Sequence, residues 1–456
     1  MSGREPIMIV AGTRPEAIKL APVLWSLDEL GIDYVFVWSG QHYDYEMSKI
    51  FFDQLGLPEP DMDLDVRSGS HAEQTARIMM GLEKAVEKYK PSIVVAQGDT
   101  NTVVATALTS TKMLVPFAHV EAGLRSWDRT MPEEINRIIA DAVAEIHFAP
   151  TELSAINLMH GGIPLRKIHV TGNTIVDVVY KYRNYVAKEG EELLSELGLE
   201  PLSYVLVTVH RQENTDNPNR LENIVKALIE ISKHYTLVFP AHPRTVNRLQ
   251  SCGLWSSLAS RKNIRILKPL GYFQFLGLLM KCLIVLTDSG GVQEEACTLK
   301  IPTLTLRYNT ERPETVLVGI NRVVGVEAQR VVDEALKIID MRDSIVASMR
   351  SVQNPLGDGR AGERIGKILK EAVEQGIRVE TIDSRANPYI TYAILEDVFR
   401  SSNNSKELLR IGDIVAMYDN DGIAVADPSK ARRIVIRLPR TETYRIEGTD
   451  QGSSHT

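Results

Sequence analysis

Cysteine is scarce in this chain, which has only three among its 456 residues. Cys252, Cys282 and Cys297 show no metal-type spacing, and the last two lie in segments with the pattern of core elements. A chain of this length with so few cysteines is not a disulfide-stabilised scaffold. We therefore expect three reduced structural thiols and a cytoplasmic location.

Long apolar runs and an excess of basic residues are also missing. The segment LGLLMKCLIVLT is interrupted by Lys281, and the first residues lack the long apolar region of a signal peptide. The formal net charge of −7 disfavours a nucleic-acid protein held by a basic face. We expect neither a membrane span nor nucleic-acid binding.

Three common signatures of metal or nucleotide sites are absent: H-E-x-x-H, paired C-x-x-C and the Walker motif. The segment GDGRAG formally fits G-x-G-x-x-G, but no strand precedes it and no βαβ unit surrounds it. It is better interpreted as the flexible entry to a helix. The sequence therefore requires neither a metal nor a cofactor.

What the chain does contain is an alternation of apolar runs and amphipathic segments. Continuous apolar strands separated by helices predict parallel sheets that are covered on both faces. The first series of predicted strands lies at 7–11, 34–38, 92–97, 116–120, 146–150 and 168–172. The second series lies at 204–209, 236–241, 264–269, 282–289 and 302–306. We expect an α/β fold with two Rossmann-like domains facing each other across a cleft.

The two series suggest a division of the chain into three parts. We assign residues 1–173 to a first Rossmann-like domain and residues 174–375 to a second, with a helical connector at about 174–198. Beyond residue 376 the sequence has short β-type runs, a DNDG turn and no long helical period after about residue 400. Residues 376–456 are predicted to be a small β-rich C-terminal appendage, to which we assign no role.

Charged residues follow several predicted strands of the first domain, at the sheet edge where ligands of open α/β sheets collect. In GTRPEAIK, Arg14 and Lys19 lie near a helix N-terminus, which suits an anion site, although a solvated surface turn would also fit. Asp99 follows the run at 92–97, where it could serve a site or only cap the next helix.

The stretch HVEAGLRSWDRTMPEEINR places four carboxylates and three arginines after another predicted strand. Glu121 leaves the strand, while Glu133 and Glu134 follow Pro132 into a helix, where they could merely complement the helix dipole. Three loops that each supply a carboxylate are harder to explain by capping alone, and clustered carboxylates suit proton transfer. For Glu134 we expect no more than a dipole effect, and for Arg137 a loop-ordering or surface role.

The second domain supplies a complementary set of residues. VTVHRQEN places His210 at a strand end, and LTDSGGVQEEA places Ser289, Gly290 and Gly291 between a strand and a helix. Small residues with free N–H groups at a helix N-terminus can cradle a diphosphate. Glu295, one turn further on, could accept hydrogen bonds from a ribose diol. The two sets together indicate a nucleotide-diphosphate substrate that bridges the cleft.

Taken together, these motifs resemble those of the non-hydrolysing UDP-N-acetylglucosamine 2-epimerases. The resemblance extends from about residue 7 to 372 and rests on GTRPEAIKLAPV, GQHYD, QGDTNTV, HVEAGLRS, MPEEINR, VTGNTIVD, HRQEN, SGGVQEEA and TERPE. It implies the GT-B fold, with the helix AGERIGKILKEAV crossing back to the first domain. It also implies interconversion of UDP-GlcNAc and UDP-ManNAc without a metal or nicotinamide.

The resemblance also implies roles for individual residues. Asp99, Glu121 and Glu133 match the family's catalytic acids, and His210 matches its active-site histidine. The positions that match the UDP-sugar site are Arg14, Lys19, Phe275 beside the uracil, Ser289, Gly290, Gly291, Glu295 and Arg312. Gln41 and His42 match part of the family's activator site. As partners we expect the UDP-sugar and, in the assembly, a second copy of the chain as a homodimer.

The implied reaction explains why charge collects in the cleft. C2–H of a GlcNAc unit is not next to a carbonyl, so UDP must leave C1 before that proton becomes acidic. Deprotonation gives 2-acetamidoglucal, and UDP re-adds while C2 is protonated from the opposite face. Arg14, Arg312 and the SGG turn could hold the diphosphate, and the three carboxylates could carry protons.

Alternative functions stay open from the motifs alone. A modified UDP-GlcNAc such as a 2,3-diacetamido uronate would need the same chemistry, and a hydrolysing enzyme would form the same glycal. A GT-B glycosyltransferase or a non-catalytic UDP-sugar sensor could share the UDP half of the site. Both are disfavoured by the three carboxylates of the first domain, which neither function needs together.

Overall fold

Two parallel sheets form the main body of the chain. The computed structural model describes residues 5–40 and 52–379, and then four strands at 409–411, 414–419, 422–427 and 432–436. Residues 1–380 belong to one unit and residues 381–456 to another. Because both sheets lie in the first unit, the division predicted at residue 173 stays a prediction. We call the part that contains the first sheet the first lobe, and the part that contains the second sheet the second lobe.

The sheet of the first lobe has seven parallel strands in the order β3-β2-β1-β4-β5-β6-β7. They are β1 (Ile7–Ala11), β2 (Tyr34–Trp38), β3 (Met62–Asp63), β4 (Ile93–Gln97), β5 (Phe117–Val120), β6 (Ile146–Ala149) and β7 (Ile168–Val170). In β1, Ile7 and Ile9 pack into one core cluster while Met8 and Val10 pack into another. Burial on both faces explains why this strand reads as a continuous apolar run.

The sheet of the second lobe has six parallel strands in the order β10-β9-β8-β11-β12-β13. They are β8 (Tyr204–Thr208), β9 (Thr236–Pro240), β10 (Ile264–Leu267), β11 (Val285–Thr287), β12 (Thr303–Thr305) and β13 (Asn321–Val323). The prediction of two Rossmann-like α/β halves is confirmed. The sequence reading missed β3 and β13, because strands of two and three residues with polar members show no apolar run.

Helices flank both sheets. The first lobe has helices Arg14–Leu30, His71–Tyr89, Asn101–Lys112, Pro132–Val143 and Glu152–His160, a helical segment at 52–55 and a 3₁₀ turn at Leu165–Lys167. Helix Thr174–Leu197 is the predicted connector. The helices that follow it are Gln212–Thr215, Pro218–Ile231, Pro243–Ser251, Trp255–Ala259, Tyr272–Lys281, Gly290–Leu299, Pro313–Leu317, Ala328–Asp340, Arg342–Arg350 and Ala361–Glu374. No helix in these described ranges combines the length and apolar character that a membrane crossing requires.

Helix Ala361–Glu374 returns to the first lobe, as the family resemblance implies. It packs along helix Arg14–Leu30. A Cβ atom on Gly362 would lie 2.4 Å from the carbonyl oxygen of Pro22, so only glycine permits this close approach. The carboxylate of Asp177 in the connector accepts a hydrogen bond of 2.9 Å from the Gly362 N–H and thereby helps to cap the returning helix.

The second unit has four described strands in an antiparallel sheet with the order β14-β15-β16-β17. They are β14 (Leu409–Ile411), β15 (Ile414–Asp419), β16 (Gly422–Asp427) and β17 (Arg432–Ile436). Asp419 pairs with Gly422 across the position of the predicted DNDG turn, whose two central residues lie outside the described part. The β-rich character predicted for this segment is confirmed for these strands.

Candidate active site

The predicted site residues lie at the carboxyl ends of strands in both lobes. Lys19 is one turn into the helix after β1, and Glu121 follows β5 directly. In the second lobe, His210 follows β8 and Ser289 follows β11. Carboxyl ends of parallel strands share one edge of a sheet, which places each set along one line. Direct contacts between the two sets then join the lobes at a single site.

Four charged side chains at this edge form a closed ion-pair ring: Lys19, Glu121, Arg312 and Glu294. Lys19 Nζ donates to Glu121 Oε1 at 2.7 Å, and Arg312 Nη2 donates to the same oxygen at 2.8 Å. Arg312 Nε donates to Glu294 Oε1 at 2.6 Å, and Glu294 Oε2 lies 2.8 Å from Lys19 Nζ. All four are buried, and two of the four contacts cross between the lobes. The sequence reading named three members of this ion-pair ring and missed Glu294.

Glu121 is held in an unusual backbone position. Its φ is +70°, in the left-handed region that residues with a side chain seldom adopt. Its Oε2 accepts a hydrogen bond from the Gln97 side-chain amide at the end of β4. Burial raises the pKa of Glu121, and the charges of Lys19 and Arg312 oppose this rise only in part. A carboxyl in this environment can hold a proton more readily than an exposed one.

Asp99 belongs to a neighbouring network and does not cap a helix. The helix after β4 is capped by the Thr100 hydroxyl, which accepts from the Thr102 N–H. Asp99 Oδ2 instead accepts from Arg137 Nη1 at 2.7 Å. Arg137 is 1% exposed, so the expectation of a surface role is wrong, while its hydrogen bond to Glu134 fits the alternative expectation that it orders a loop. Its Nη2 lies 3.8 Å from Glu311, so the network reaches the second lobe.

Glu133 and Glu134 have opposite environments although they are adjacent in the sequence. Glu133 is partly exposed and accepts a hydrogen bond of 2.9 Å from Arg211 of the second lobe. Glu134 is buried and accepts from the Ser126 N–H at 2.9 Å and from Arg137 Nε at 3.1 Å. Glu134 therefore orders the loop before its helix, and the expectation that it only complements the helix dipole is wrong.

His210 lies on the second-lobe side of the site beside a buried carboxylate. The backbone N–H of His210 donates to Asp288 at 3.0 Å, and its Nδ1 lies 3.6 Å from the same carboxylate. Asp288 also accepts from the Arg211 N–H and from the Asn214 side chain. The His210 side chain itself is 40% exposed, so it remains accessible to a ligand. The motif LTDSGGVQEEA contains Asp288, but the sequence alone indicated no role for this residue.

The predicted diphosphate cradle precedes helix Gly290–Leu299. The Ser289 side chain makes no capping hydrogen bond, and nothing lies within 4 Å of the position of a Cβ atom on Gly291. A Cβ on Gly290 would lie 3.2 Å from the guanidinium carbon of Arg312. The cradle therefore combines open space, a helix N-terminus and a nearby cation, as phosphate binding requires.

Glu295, the predicted ribose ligand, is buried in the same helix. Burial raises its pKa to about 8, and the charge of Glu294 adds to this rise. The hydroxyl of Tyr272 faces Glu295, and burial likewise raises the pKa of Tyr272. Phe275, the predicted uracil neighbour, lies in helix Tyr272–Lys281 and is half-buried against the core.

The turn after β1 differs from the anion site suggested by its sequence. Glu16 accepts hydrogen bonds from the N–H groups of Gly12 and Thr13 at 2.8 and 2.7 Å, so these donors are occupied. Burial raises the pKa of Glu16 to about 7. Arg14 is half-buried, and its Nε has no hydrogen-bond partner among the described residues. Arg14 and Lys19, rather than the backbone amides, are the groups of this turn that can receive an anion.

Two remaining predictions concern the activator site and metals. Gln41 and His42 lie outside the described residues. Within the described ranges, no group of three or more His, Cys, Asp or Glu side chains is arranged to hold a metal ion.

Comparison with known proteins relates this geometry to a family. The family model described as UDP-N-acetylglucosamine 2-epimerase matches residues 26–370. The UDP-N-acetylglucosamine 2-epimerase of Methanocaldococcus jannaschii is 46% identical over 367 residues, which cover 80% of this chain and 98% of that protein. The UDP-2,3-diacetamido-2,3-dideoxy-D-glucuronate 2-epimerase of Pseudomonas aeruginosa is 38% identical over 366 residues, with 80% and 99% covered.

The fold is likewise similar to solved structures. The crystal structure of Methanocaldococcus jannaschii UDP-GlcNAc 2-epimerase in complex with UDP-GlcNAc and UDP superposes with a TM-score of 0.75 at 45% sequence identity. The similarity covers 80% of this chain and 99% of that one. The family model ends at residue 370, so the β-rich C-terminal unit lies beyond it.

Proposed function

The chain belongs to the UDP-N-acetylglucosamine 2-epimerase family, and we propose that its cleft interconverts UDP-GlcNAc and UDP-ManNAc by eliminating and re-adding UDP. The observation that carries this proposal is the position of Glu121 between Lys19 and Arg312. The reaction needs cations for a departing diphosphate and a proton carrier within the same few ångströms. The ion-pair ring brings these groups together from both lobes.

Substrate binding would use groups of both lobes. The diphosphate fits the open cradle of Ser289, Gly290 and Gly291 at a helix N-terminus, with Arg312 beside it. Glu295 would accept hydrogen bonds from the ribose, and Phe275 would lie beside the uracil. From the first lobe, Arg14 and Lys19 complete the cationic environment. These contacts anchor UDP, so the sugar projects toward the carboxylates.

Elimination would begin with the bond between C1 and the β-phosphate oxygen. That bond breaks with its electron pair leaving on UDP, and the cations stabilise the growing negative charge. A carboxylate then removes the C2 proton, and the C1–C2 double bond of 2-acetamidoglucal forms. In the return direction, a UDP oxygen attacks C1 while a carboxyl group delivers a proton to the opposite face of C2.

Proton transfer is assigned to Asp99, Glu121, Glu133 and His210. Glu121, whose pKa is raised by burial, suits a group that holds a proton and delivers it. Asp99 and Glu133 are each paired with an arginine, which holds each carboxylate in place at the cleft. Cross-lobe contacts such as Glu133 with Arg211 would also help to exclude water, which protects the glycal.

The decisive experiment follows UDP-GlcNAc in D₂O by NMR, without an acceptor. The expected result is UDP-ManNAc that carries deuterium at C2. Formation of free ManNAc with UDP would identify a hydrolysing enzyme instead. If C2 exchanges no hydrogen at all, the proposed chemistry is wrong.

A second substrate is favoured by one specific observation, the 38% identity to an enzyme that acts on UDP-2,3-diacetamido-2,3-dideoxy-D-glucuronate. The same elimination applies to that sugar, because its C2 carries the same kind of proton. Measuring kcat/KM for both UDP-sugars decides between them. We expect UDP-GlcNAc to have the higher value, and a reversed order would reassign the substrate.

For the assembly we propose a homodimer. In support, Met80 on helix His71–Tyr89 and Ile138 on helix Pro132–Val143 are 63% and 37% exposed. Both helices pack against helix Asn101–Lys112, so these apolar side chains belong to one layer of the first lobe. Light scattering should give twice the mass of the chain, and Ile138→Glu should lower it. A monomeric wild-type chain would contradict the proposal.

For the location we propose the cytoplasm. In support, Cys252, Cys282 and Cys297 are all unpaired, and free thiols persist in reducing compartments. Fractionation of cells that express the full chain tests this proposal, and recovery outside the cytoplasmic fraction would contradict it.

A further inference from the structure

Glu294 is a fully buried carboxylate to which the reaction described above gives no role. It contacts Arg312 through Oε1 at 2.6 Å and Lys19 through Oε2 at 2.8 Å. Glu121 contacts the same two cations from the other side. Two carboxylates therefore already neutralise the two cations that a diphosphate is expected to use. The ion-pair ring as a whole has no net charge.

A diphosphate that reaches Lys19 and Arg312 adds at least two negative charges beside this neutral ion-pair ring. Burying charge without a counter-charge is unfavourable, and a third carboxylate, Glu311, already lies 3.5 Å from Arg312. Two changes reduce the cost. The cations can turn from a ring carboxylate to the diphosphate, and a proton can enter the carboxylate pair. A proton shared by two adjacent carboxylates belongs to the pair rather than to one residue.

We infer that the substrate diphosphate competes with Glu294 for Lys19 and Arg312, and that one proton enters the Glu121–Glu294 pair as the diphosphate binds. This inference rests on the proposed function of the cleft. Glu294 is then a positioning residue, because it acts on the substrate through the two cations. It holds them in place and weakens diphosphate binding at the same time.

When the two cations turn from the carboxylates to the diphosphate, Glu121 also becomes easier to protonate, and this happens as the substrate binds. When Lys19 and Arg312 turn to the diphosphate, the counter-charges that oppose protonation of Glu121 are withdrawn. Glu121 keeps its hydrogen bond from Gln97, which fixes the direction of the carboxyl group. Substrate arrival thus prepares a carboxyl group that can deliver a proton to C2.

Other titratable groups lie close to the same pair, and their contribution to the measured proton uptake must be distinguished from that of the pair. Glu295, Tyr272, Cys297 and Glu314 all face Glu294. Burial raises the pKa of each of these four groups, to about 8 for Glu295 and to about 12 for Cys297. Asp99 and Glu311 face the site through Arg312. Glu295 is the neighbour whose pKa lies nearest to neutral pH, so it requires its own variant.

The test is calorimetric titration of the full chain with UDP-GlcNAc at pH 7.5, in HEPES and in Tris buffer, which differ in their heats of ionisation and contain no phosphate. Both phosphates of UDP-GlcNAc are diesters and do not titrate near this pH. The difference in heat between buffers gives the number of protons taken up. For the wild type we expect about one proton per site, so that the affinity improves about tenfold for each unit that the pH falls.

Glu294→Gln should lower the proton uptake toward zero and tighten UDP-GlcNAc binding about tenfold, the equivalent of one pKa unit. Glu294→Asp keeps the charge and should keep the uptake, and so should Glu295→Gln. The matched control is Glu230→Gln, a surface carboxylate of the same lobe that pairs with Lys233. This control variant should change neither the proton uptake nor the affinity for UDP-GlcNAc.

Two results would overturn the inference. One is a wild-type chain that epimerises UDP-GlcNAc but takes up no proton on binding it, a measurement that does not depend on how any variant folds. The other is a Glu295→Gln variant that loses the uptake while Glu294→Gln keeps it. A wild-type chain that neither binds nor exchanges UDP-GlcNAc would instead remove the proposed function, and the inference with it.

Discussion

Nδ1 of His119 lies 2.6 Å from Oδ1 of Asp141, and both side chains are buried in the first lobe. The other ring nitrogen of His119 lies 2.8 Å from the carbonyl oxygen of Gly98, and Asp141 also accepts from the N–H of Gly123. Both ring nitrogens of His119 therefore lie against oxygen atoms of the first lobe. This pair ties together the loops that carry Asp99 and Glu121, two of the three proposed catalytic carboxylates.

Asp141→Asn should destabilise the chain by about 3–5 kcal/mol at neutral pH, because it removes one partner of a buried ion pair. Burial alone would raise the pKa of Asp141, but the charges of His119 and Arg125 outweigh it and hold this pKa at about 2. A lowered pKa contributes stability above the unfolded value of about 3.9 and loses it as the pH falls toward 2. Urea unfolding at pH 7 and at pH 3 should therefore show a smaller difference between variant and wild type at pH 3.

The control for this experiment is Asp343→Asn. The Asp343 side chain is 98% exposed, so this variant should change the free energy of unfolding by less than about 0.5 kcal/mol. If Asp141→Asn also lies within that limit, the buried pair contributes nothing to stability. A variant that remains folded should still lose turnover, because the loops that carry Asp99 and Glu121 lose a shared anchor.

Glu121→Gln should reduce kcat by about 10²–10⁴-fold, the usual contribution of a positioned proton carrier. The amide is of equal size and can still accept from Lys19 and Arg312, so UDP-GlcNAc binding should be no weaker than in the wild type. Stopped reactions and calorimetry give the two quantities separately. Turnover near the wild-type rate would exclude Glu121 from proton transfer.

Glu295→Gln should raise stability at pH 8 and change it little at pH 4. A pKa raised to about 8 gives stability that is full below the unfolded value of about 4.3 and is lost as the pH rises to 8. At pH 8 Glu295 therefore contributes less to the free energy of unfolding of the wild type than it does at pH 4, and the amide variant does not undergo this loss. Unfolding midpoints at both pH values measure this, with Glu230→Gln as a surface control. A difference that does not depend on pH would contradict the expectation.

Gly291→Ala should weaken UDP-GlcNAc binding without loss of stability. A Cβ atom at this position meets no protein atom within 4 Å, so the added methyl group projects into open space at the cradle. Gly362→Ala is the opposite case, because its Cβ would lie 2.4 Å from the Pro22 carbonyl oxygen. We expect that variant to lose about 1–3 kcal/mol of stability through overpacking. Thermal unfolding and calorimetry distinguish the two, and equal affinity for Gly291→Ala would argue against the cradle.

Much of the secondary structure could be predicted because its signals are local. The run IMIVA is buried on both faces and therefore shows as five apolar residues in succession. The strand Asn321–Val323 has no such run, because its Asn321 side chain hydrogen-bonds to Thr315 and Gln293 instead of packing into a core. Such a strand is specified by its neighbours in the sheet, which a local pattern cannot reveal.

The site was only partly predictable for the same reason. Glu133 and Glu134 follow one another in MPEEINR and look equivalent, yet a helix turns successive side chains by about 100°. That rotation sends Glu133 toward Arg211 of the other lobe and Glu134 into the first lobe beneath the Ser126 loop. The helical pattern alone could not show which of the two carboxylates faces the other lobe.

From the sequence alone follow the alternation of strands and helices, the two-lobe α/β fold, the motifs at strand ends and the family those motifs resemble. These features depend on local properties of the sequence, namely apolar periodicity, helix capping and the geometry of glycine and proline. Only the tertiary structure decided that Glu294 joins Lys19 and Arg312, and that Arg137 is buried beside Asp99. These contacts join residues far apart in the chain, so their partners depend on how two whole sheets and their helices pack. In a buried site, that choice of partners determines which carboxyl group can carry a proton.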